Sequence, residues 1–224
     1  MSLINKIIDW SLIQDCDILI TSRPGVLEDL IKAGEVYADS WKDGDGIFNS
    51  IEDAVEAATN ENIPSHTLFV YDVNTMVGVE QTWPKATFCS LHEYESIDPK
   101  NSKDHTIEVF RCPWLSEKHN PLAPELRDNM KIWLNNYVAG NNDYSIQDLF
   151  AFLNVLPEDK GHTTCSLFVT LALLKNVELK GYDCRFPLDW IVQGPDGLPC
   201  AGLVSPWNID ETFNANGWGI AFQK

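Results

Sequence analysis

Basic residues are scarce in this sequence. Sixteen lysines and arginines stand against 33 aspartates and glutamates, which gives the 224 residues a formal net charge of −17. Proteins bind nucleic acids and anionic membrane surfaces chiefly through lysine and arginine, so the shortage argues against both kinds of partner. The acidic residues are spread along the chain, as is typical of a solvated surface.

Long apolar runs are missing as well. The longest apolar segments, residues 67–71 and 167–174, are far shorter than the roughly 18–20 residues of a membrane-spanning helix. Residues 1–10 lack both the apolar run and the small-residue cleavage site of a secretory signal. These absences predict a soluble, cytoplasmic protein with no membrane span.

The cysteines show no CxxC pair and no regular spacing, at positions 16, 89, 112, 165, 184 and 200. Neither a zinc site nor a disulfide framework is indicated, so most of them are expected to be reduced core residues. A glycine-punctuated acidic stretch after residue 42 resembles part of a calcium loop, but Trp41 stands where the first ligand would be. We therefore expect no metal and no cofactor.

Hydrophobic periodicity predicts one domain of the α+β class. The predicted strands are residues 17–21, 66–71, 76–83 and 107–111. The predicted helices are residues 27–33, 51–59, 125–138, 148–153 and 167–174, with residues 3–12 as a short helix or tether. The polar stretch around residues 37–60 is interpreted as an insertion, and the last forty residues as loops that carry core-filling aromatic residues.

Cys165 differs from the other cysteines by its surroundings. Thr163 and Thr164, which favour helix N-caps, precede it, and an apolar helical run follows. In the first turn of a helix, the dipole and the unpaired backbone N–H groups both favour a thiolate. The same N–H groups can stabilise an oxyanion, so this position suits a nucleophile. The alternative is that Cys165 is an ordinary small core residue.

A thiolate nucleophile needs a general base, and the chain offers five histidines. His66 begins an apolar strand directly after Pro64 and Ser65, where a rigid strand end can orient an imidazole. His162 is interpreted as a cap or surface residue in the loop before Cys165. The remaining histidines, at positions 92, 105 and 119, lie in polar segments and are interpreted as solvated. His66 is therefore the best candidate.

Three segments resemble the motifs of one protein family: residues 65–70 (SHTLFV), 77–80 (VGVE) and 164–169 (TCSLFV). In this order they resemble the histidine strand, the glutamate strand and the cysteine helix of circularly permuted NlpC/P60 papain-like proteins. This is the YiiX/YaeF-like group, related to lecithin:retinol acyltransferase. Further segments resemble the family's early strand, its segment before the cysteine and its late proline-containing strand end, at residues 15–19, 142–144 and 204–206.

The resemblance spans most of the chain, and it implies a single permuted papain-like domain of residues 1–224. A small antiparallel sheet would pack on the helix that carries Cys165. The implied activity is that of a cysteine peptidase or amidase acting on a small peptide, cell-wall-type or acyl substrate. The departures from the pattern are Cys16 in place of a glycine, Thr164 in place of a tyrosine, and the insertion.

The family comparison points to Glu80 as the residue that orients His66. Whether Glu80 shares a sheet face with His66 depends on the turn between the two strands. An odd number of loop residues places Glu80 on that face, and an even number places Gln81 or Val79 there. A carboxylate would stabilise an imidazolium, whereas a glutamine would only fix the tautomer. Glu80 is favoured, with Gln81 as the alternative.

The expected mechanism is attack of the Cys165 thiolate on an amide or ester carbonyl to form a thioester. Hydrolysis of the thioester would make the protein an amidase or peptidase, and transfer to another acceptor would make it an acyltransferase. A third possibility is a papain-like binding module that keeps the residues without catalysis.

Overall fold

A computed structural model describes residues 8–22, 64–82, 84–94, 107–143, 164–193, 199–201 and 204–220. These ranges contain seven β-strands, three α-helices and several short 3-10 helices. The α+β class expected from the sequence is confirmed. The helices expected at residues 27–33, 51–59 and 148–153, and the insertion around 37–60, lie outside the described residues.

Five strands form an antiparallel sheet in the order β4-β3-β2-β1-β5. They are β1 (Ile18–Thr21), β2 (His66–Asp72), β3 (Val77–Gln81), β4 (Ala86–Ser90) and β5 (Ile107–Phe110). Two short strands, β6 (Ile191–Gln193) and β7 (Pro199–Ala201), form a separate antiparallel pair. The four strands predicted from the sequence are confirmed to within two residues, whereas β4, β6 and β7 were missed.

The central strands are buried on both faces, which explains their unbroken apolar sequences. On one face, Ile18, Ile20 and Phe69 belong to the larger hydrophobic core. On the other face, Leu19 and Leu68 belong to a second, smaller core. Because side chains alternate along a strand, adjacent residues of β1 and β2 enter different cores.

Three helices complete the described fold: α1 (Ala123–Ala139), α2 (Cys165–Asn176) and α3 (Pro206–Ala215). The predicted stripe of α1 is confirmed, with Leu126, Met130 and Leu134 buried. Buried residues occur on every side of α2, as its uniformly apolar sequence indicated. Of the described helices, none has the length and apolar character needed to cross a membrane.

Helix α3 corrects the interpretation of residues 204–206 as a strand end. Ser205 is the N-cap of this helix: its hydroxyl accepts a hydrogen bond from the Asn208 N–H at 3.1 Å, and the Asn208 side chain accepts one from the Ser205 N–H at 3.1 Å. Pro206 occupies the first helical turn, where a missing N–H costs nothing. The sequence signal for this helix start is Ser205 followed three residues later by Asn208, with Pro206 between them.

Gly78 gives a direct test of the packing between β3 and β4. A Cβ atom at Gly78 would lie 2.9 Å from both Cys89 Sγ and Leu91 Cδ2, closer than real contacts allow. We expect Gly78→Ala to lower the free energy of unfolding by about 1–3 kcal/mol through overpacking, measured by urea denaturation. Gly219→Ala is the matched control, since its Cβ would meet nothing closer than 3.7 Å. Equal effects of the two substitutions would contradict the expectation.

Candidate active site

Cys165 is the first residue of α2, the position that the sequence predicted. Thr164 is the N-cap, and its hydroxyl accepts a hydrogen bond from the Leu167 N–H at 3.3 Å. The next residue, Ser166, donates its buried hydroxyl to the Val204 carbonyl and so ties this helix end to the segment before α3. The Leu167 N–H is taken by this cap and the Phe168 N–H by the Thr164 carbonyl, so the N–H groups of Cys165 and Ser166 are the donors that this end of α2 presents beside the sulfur.

Helix α2 packs against the face of β2 that carries Phe69. The rings of Phe69 and Phe168 meet edge to face, with their centroids 5.8 Å apart. Cys165 precedes Phe168 by about one helical turn, and its sulfur lies near His66 and Thr67, the first residues of β2. The helix end and the strand end therefore meet at one edge of the sheet.

His66, the first residue of β2, lies at that edge, 8% exposed. Its Nε2 is 2.7 Å from Oε2 of Glu80, which is also 8% exposed. A carboxylate can only accept a hydrogen bond, so Nε2 carries the proton toward Glu80 and Nδ1 is left as the second ring atom. The structure thus brings His66 and Glu80 together.

A β-bulge decides that the partner is Glu80 and not Gln81. Four residues, 73–76, separate β2 from β3, and an even number would place Gln81 on the face of His66. The register shifts between Val70 and Asp72, however, so that Leu68 pairs with Glu80. The extra residue reverses which side of β3 faces His66.

The position of His66 at the strand end explains how it reaches two faces. By register, His66 and Glu80 project to the side of Leu68, whereas α2 covers the side of Phe69. A residue in the middle of β2 could not contact both sides. His66 is the first residue of the strand, so its ring contacts Glu80 and also hydrogen-bonds with the thiol of Cys165. Since Nε2 is taken by Glu80, Nδ1 is the atom that faces the sulfur.

The surroundings of Cys165 favour the thiolate despite its burial. Burial acts to raise the pKa of the thiol, because a charge in a low-dielectric interior is costly. The hydrogen bond and charge of His66, followed by contacts with the N–H and hydroxyl of Thr67, outweigh this effect and lower the pKa. His66 therefore opposes the effect of burial on the thiol, and the Glu80 carboxylate is bonded to the other ring nitrogen of His66.

Two residues near the pair were missed by the sequence interpretation. The Tyr94 hydroxyl donates to Oε2 of Glu80 at 3.4 Å, from a 3-10 turn (Leu91–Tyr94) that shows no periodic pattern. Thr67 contacts the sulfur of Cys165. A signal for Thr67 was present in the sequence. Thr67 follows His66 on a strand, so the two side chains lie on opposite faces, and the face of Thr67 is the one that packs on α2.

The other cysteines and histidines behave differently from the pair. Cys16, Cys112 and Cys184 are buried free thiols. Burial raises the pKa of Cys16, and hydrogen bonding with Cys112, together with burial, raises the pKa of Cys184. The raised pKa values make Cys16 and Cys184 poor nucleophiles at neutral pH. His92 and His119 are exposed, as expected, whereas His105 and His162 lie outside the described residues.

Within the described ranges, no three His, Cys, Asp or Glu side chains are grouped closely enough to hold a metal ion. No protein-family model matches the chain, and no curated protein is detectably similar to it in sequence.

Proposed function

We propose that the protein is a cysteine-nucleophile hydrolase, an amidase or peptidase, built on a permuted papain-like (NlpC/P60) fold. The observation that carries the proposal is the contact between the Cys165 thiol, at a helix start, and His66, whose other ring nitrogen is bonded to Glu80. Nucleophile, base and orienting acid come from three separate elements and meet in a nearly buried site.

The conformation of Cys16 supports the family resemblance. Cys16 has φ +69°, in the left-handed region that glycine adopts most easily. This is the position at which the family pattern has a glycine. The backbone at the start of β1 therefore has the shape that the motif requires, although the side chain differs.

In the proposed reaction, the Cys165 thiol gives its proton to His66 Nδ1, and the thiolate attacks the carbonyl carbon of an amide or ester. The N–H groups at the start of α2 stabilise the resulting oxyanion. His66 then protonates the leaving amine or alcohol as the C–N or C–O bond breaks, which leaves a thioester on Cys165. In the second half, His66 takes a proton from water as the water oxygen attacks the thioester carbon. The C–S bond then breaks, the acid is released, and His66 returns the proton to the Cys165 sulfur.

Glu80 acts throughout through His66. Its carboxylate holds Nε2–H and so keeps Nδ1 directed at the sulfur. It also stabilises the positive imidazolium after the proton has moved. Because Tyr94 donates to the same carboxylate oxygen, the acceptor itself is held in place.

An acyl-donor probe that forms a stable thioester tests the proposal. We expect labelling of the wild-type protein at Cys165, located by peptide mass spectrometry, and none in Cys165→Ala. Cys89→Ala is the matched control, because Cys89 is half-buried, whereas Cys16, Cys112 and Cys184 are buried, and it would take up any nonspecific label. The absence of labelling at every value from about pH 5 to about pH 9 would refute an enzymatic function.

Product analysis with and without an added acceptor amine then separates hydrolysis from transfer. Release of the free acid at the same rate in both conditions supports the hydrolase. Formation of the new amide in preference to the acid would instead indicate an acyltransferase that uses the same thioester.

A further inference from the structure

Thr67 lies against the nucleophile because of its place on β2. Side chains two residues apart share a strand face, so Thr67 projects to the side of Phe69, toward α2. Two strand residues span about 6.6 Å, and the three residues from Cys165 to Phe168 rise about 4.5 Å along the helix. Thr67 is also among the groups that act on the Cys165 thiol. Together with the ring contact between Phe69 and Phe168, this shows that β2 and α2 run in the same direction, with Thr67 level with Cys165.

The hydroxyl of Thr67 is in an unusual state. Thr67 has no exposed surface, and its Oγ1 makes no hydrogen bond of good geometry with any described residue. A buried hydroxyl without a partner destabilises the fold, so such groups are rare unless they serve a purpose. The group beside it is the Cys165 sulfur, which both the N–H and the hydroxyl of Thr67 approach.

The sulfur changes as an acceptor when it ionises. A neutral thiol is a weak acceptor, whereas a thiolate accepts strong, charge-assisted hydrogen bonds. Transfer of the proton from Sγ to His66 Nδ1 thus gives the orphaned hydroxyl a partner. The unpaired Thr67 hydroxyl therefore destabilises the protein while the Cys165 thiol is neutral. This destabilisation disappears when the thiol ionises.

We propose that Thr67 is a catalytic residue that stabilises the Cys165 thiolate by donating its hydroxyl hydrogen to the sulfur. The inference rests on the proposed function, since it matters only if Cys165 is the nucleophile. It assigns two sources of thiolate stabilisation on adjacent residues of one strand: His66 supplies charge, and Thr67 supplies neutral donors that do not titrate.

Among the described residues, the titratable groups near the sulfur belong to two strands and one turn. From β2 the titratable group is His66, from β3 it is Glu80 behind His66, and from the Leu91–Tyr94 turn it is Tyr94, bonded to Glu80. The first turn of α2 carries no acidic residue. The hydroxyl of Thr67 can therefore be removed without changing any of these charges.

The experiment is the pH dependence of Cys165 alkylation by iodoacetamide, in which a C–S bond forms and iodide leaves. In Thr67→Val the rise of the rate with pH is expected to move upward by about one pH unit, so that the rate on the acid side falls about tenfold. Thr67→Ser, which keeps a hydroxyl, is expected to stay within about 0.3 unit of the wild type.

Thr21→Val is the matched control. Thr21 is also a buried threonine whose hydroxyl has no partner. It lies on β1 opposite His66, and by the alternation of β1 it projects to the side of Leu19, away from α2 and the sulfur. Neither Thr67→Val nor Thr21→Val is expected to lower the melting temperature, because each removes an unpaired buried hydroxyl. Only Thr67→Val is expected to shift the alkylation profile.

An unshifted profile in Thr67→Val would overturn the role of Thr67 while leaving the proposed function intact. If Thr67→Val does not fold, Thr67→Ala, which also lacks the hydroxyl, decides by the same criterion. A wild-type Cys165 that stays unreactive up to about pH 9 would instead refute the nucleophile itself, so the two failures are distinguishable. An equal shift in Thr21→Val would also overturn the assignment.

Discussion

His66→Ala is expected to slow acylation of Cys165 at pH 7 by about 10³-fold, within the range that a general base contributes. His66 is the charge that opposes the burial of the thiol. Without it, burial is opposed by Thr67 alone, and the pKa of the thiol rises from its lowered wild-type value. The rise of the acylation rate with pH should therefore move into the alkaline range in the variant.

Glu80→Gln is expected to slow acylation of Cys165 less than His66→Ala does. A glutamine can still accept from Nε2–H and hold the imidazole, but it cannot stabilise its positive charge. We expect a loss smaller than that of His66→Ala, of about 10–10²-fold. Glu93→Gln is the control, because it makes the same change of charge at an exposed position of the Leu91–Tyr94 turn. A larger loss in Glu80→Gln than in His66→Ala would contradict this order of roles.

Arg111→Leu is expected to cost about 3–5 kcal/mol of unfolding free energy at pH 7, since it leaves a buried carboxylate without its cation. Arg111 donates to Asp17 through Nε at 2.8 Å and Nη2 at 2.6 Å, and Asp17 is fully buried directly before β1. Nη2 also donates to the Leu12 carbonyl at 2.7 Å. The Arg111–Asp17 ion pair therefore fixes the segment that leads into β1.

The cost of Arg111→Leu should depend on pH. Burial raises the pKa of Asp17 to about 6 from 3.8, although Arg111 acts to lower it. A carboxyl whose pKa is higher in the folded state binds its proton more tightly when folded, so stability is lost as pH rises through about 6. Without Arg111 the pKa rises further, and the deficit of the variant should be largest at neutral pH and smaller near pH 4.

Urea denaturation at pH 7 and near pH 4 measures both effects. Asp17→Asn combined with Arg111→Leu is the control, because it removes the unpaired charge and should recover most of the lost stability. A deficit in Arg111→Leu that is equal at the two pH values would show that lost packing, and not the buried charge, is responsible.

The elements that carry the site could be predicted because their patterns are local. The helix that starts at Cys165 follows from Thr164 and the apolar run, and the strand of His66 follows from its β-branched and aromatic residues. Strand β4 was missed because little of it is buried: Ala86 faces the interior, but Phe88 is 40% exposed. A strand at the edge of a sheet leaves a weak alternating pattern.

The sequence by itself determined where Cys165 and His66, the proposed nucleophile and base, lie in their elements. A threonine cap fixes a helix start within a few residues, and a run of apolar residues indicates a strand. Cys165 and His66 could therefore be identified as candidates from the local sequence, before any packing was known. The resemblance at residues 77–80 added Glu80, with Gln81 left as its alternative.

Only the tertiary structure decided between Glu80 and Gln81. The four-residue connection by itself favours Gln81, and the register shift between Val70 and Asp72 reverses that outcome. A single inserted residue exchanges the two faces of every following position, because the side-chain period of a strand is two residues. Thr67 was likewise out of reach, since its hydroxyl meets the sulfur only when α2 packs on β2.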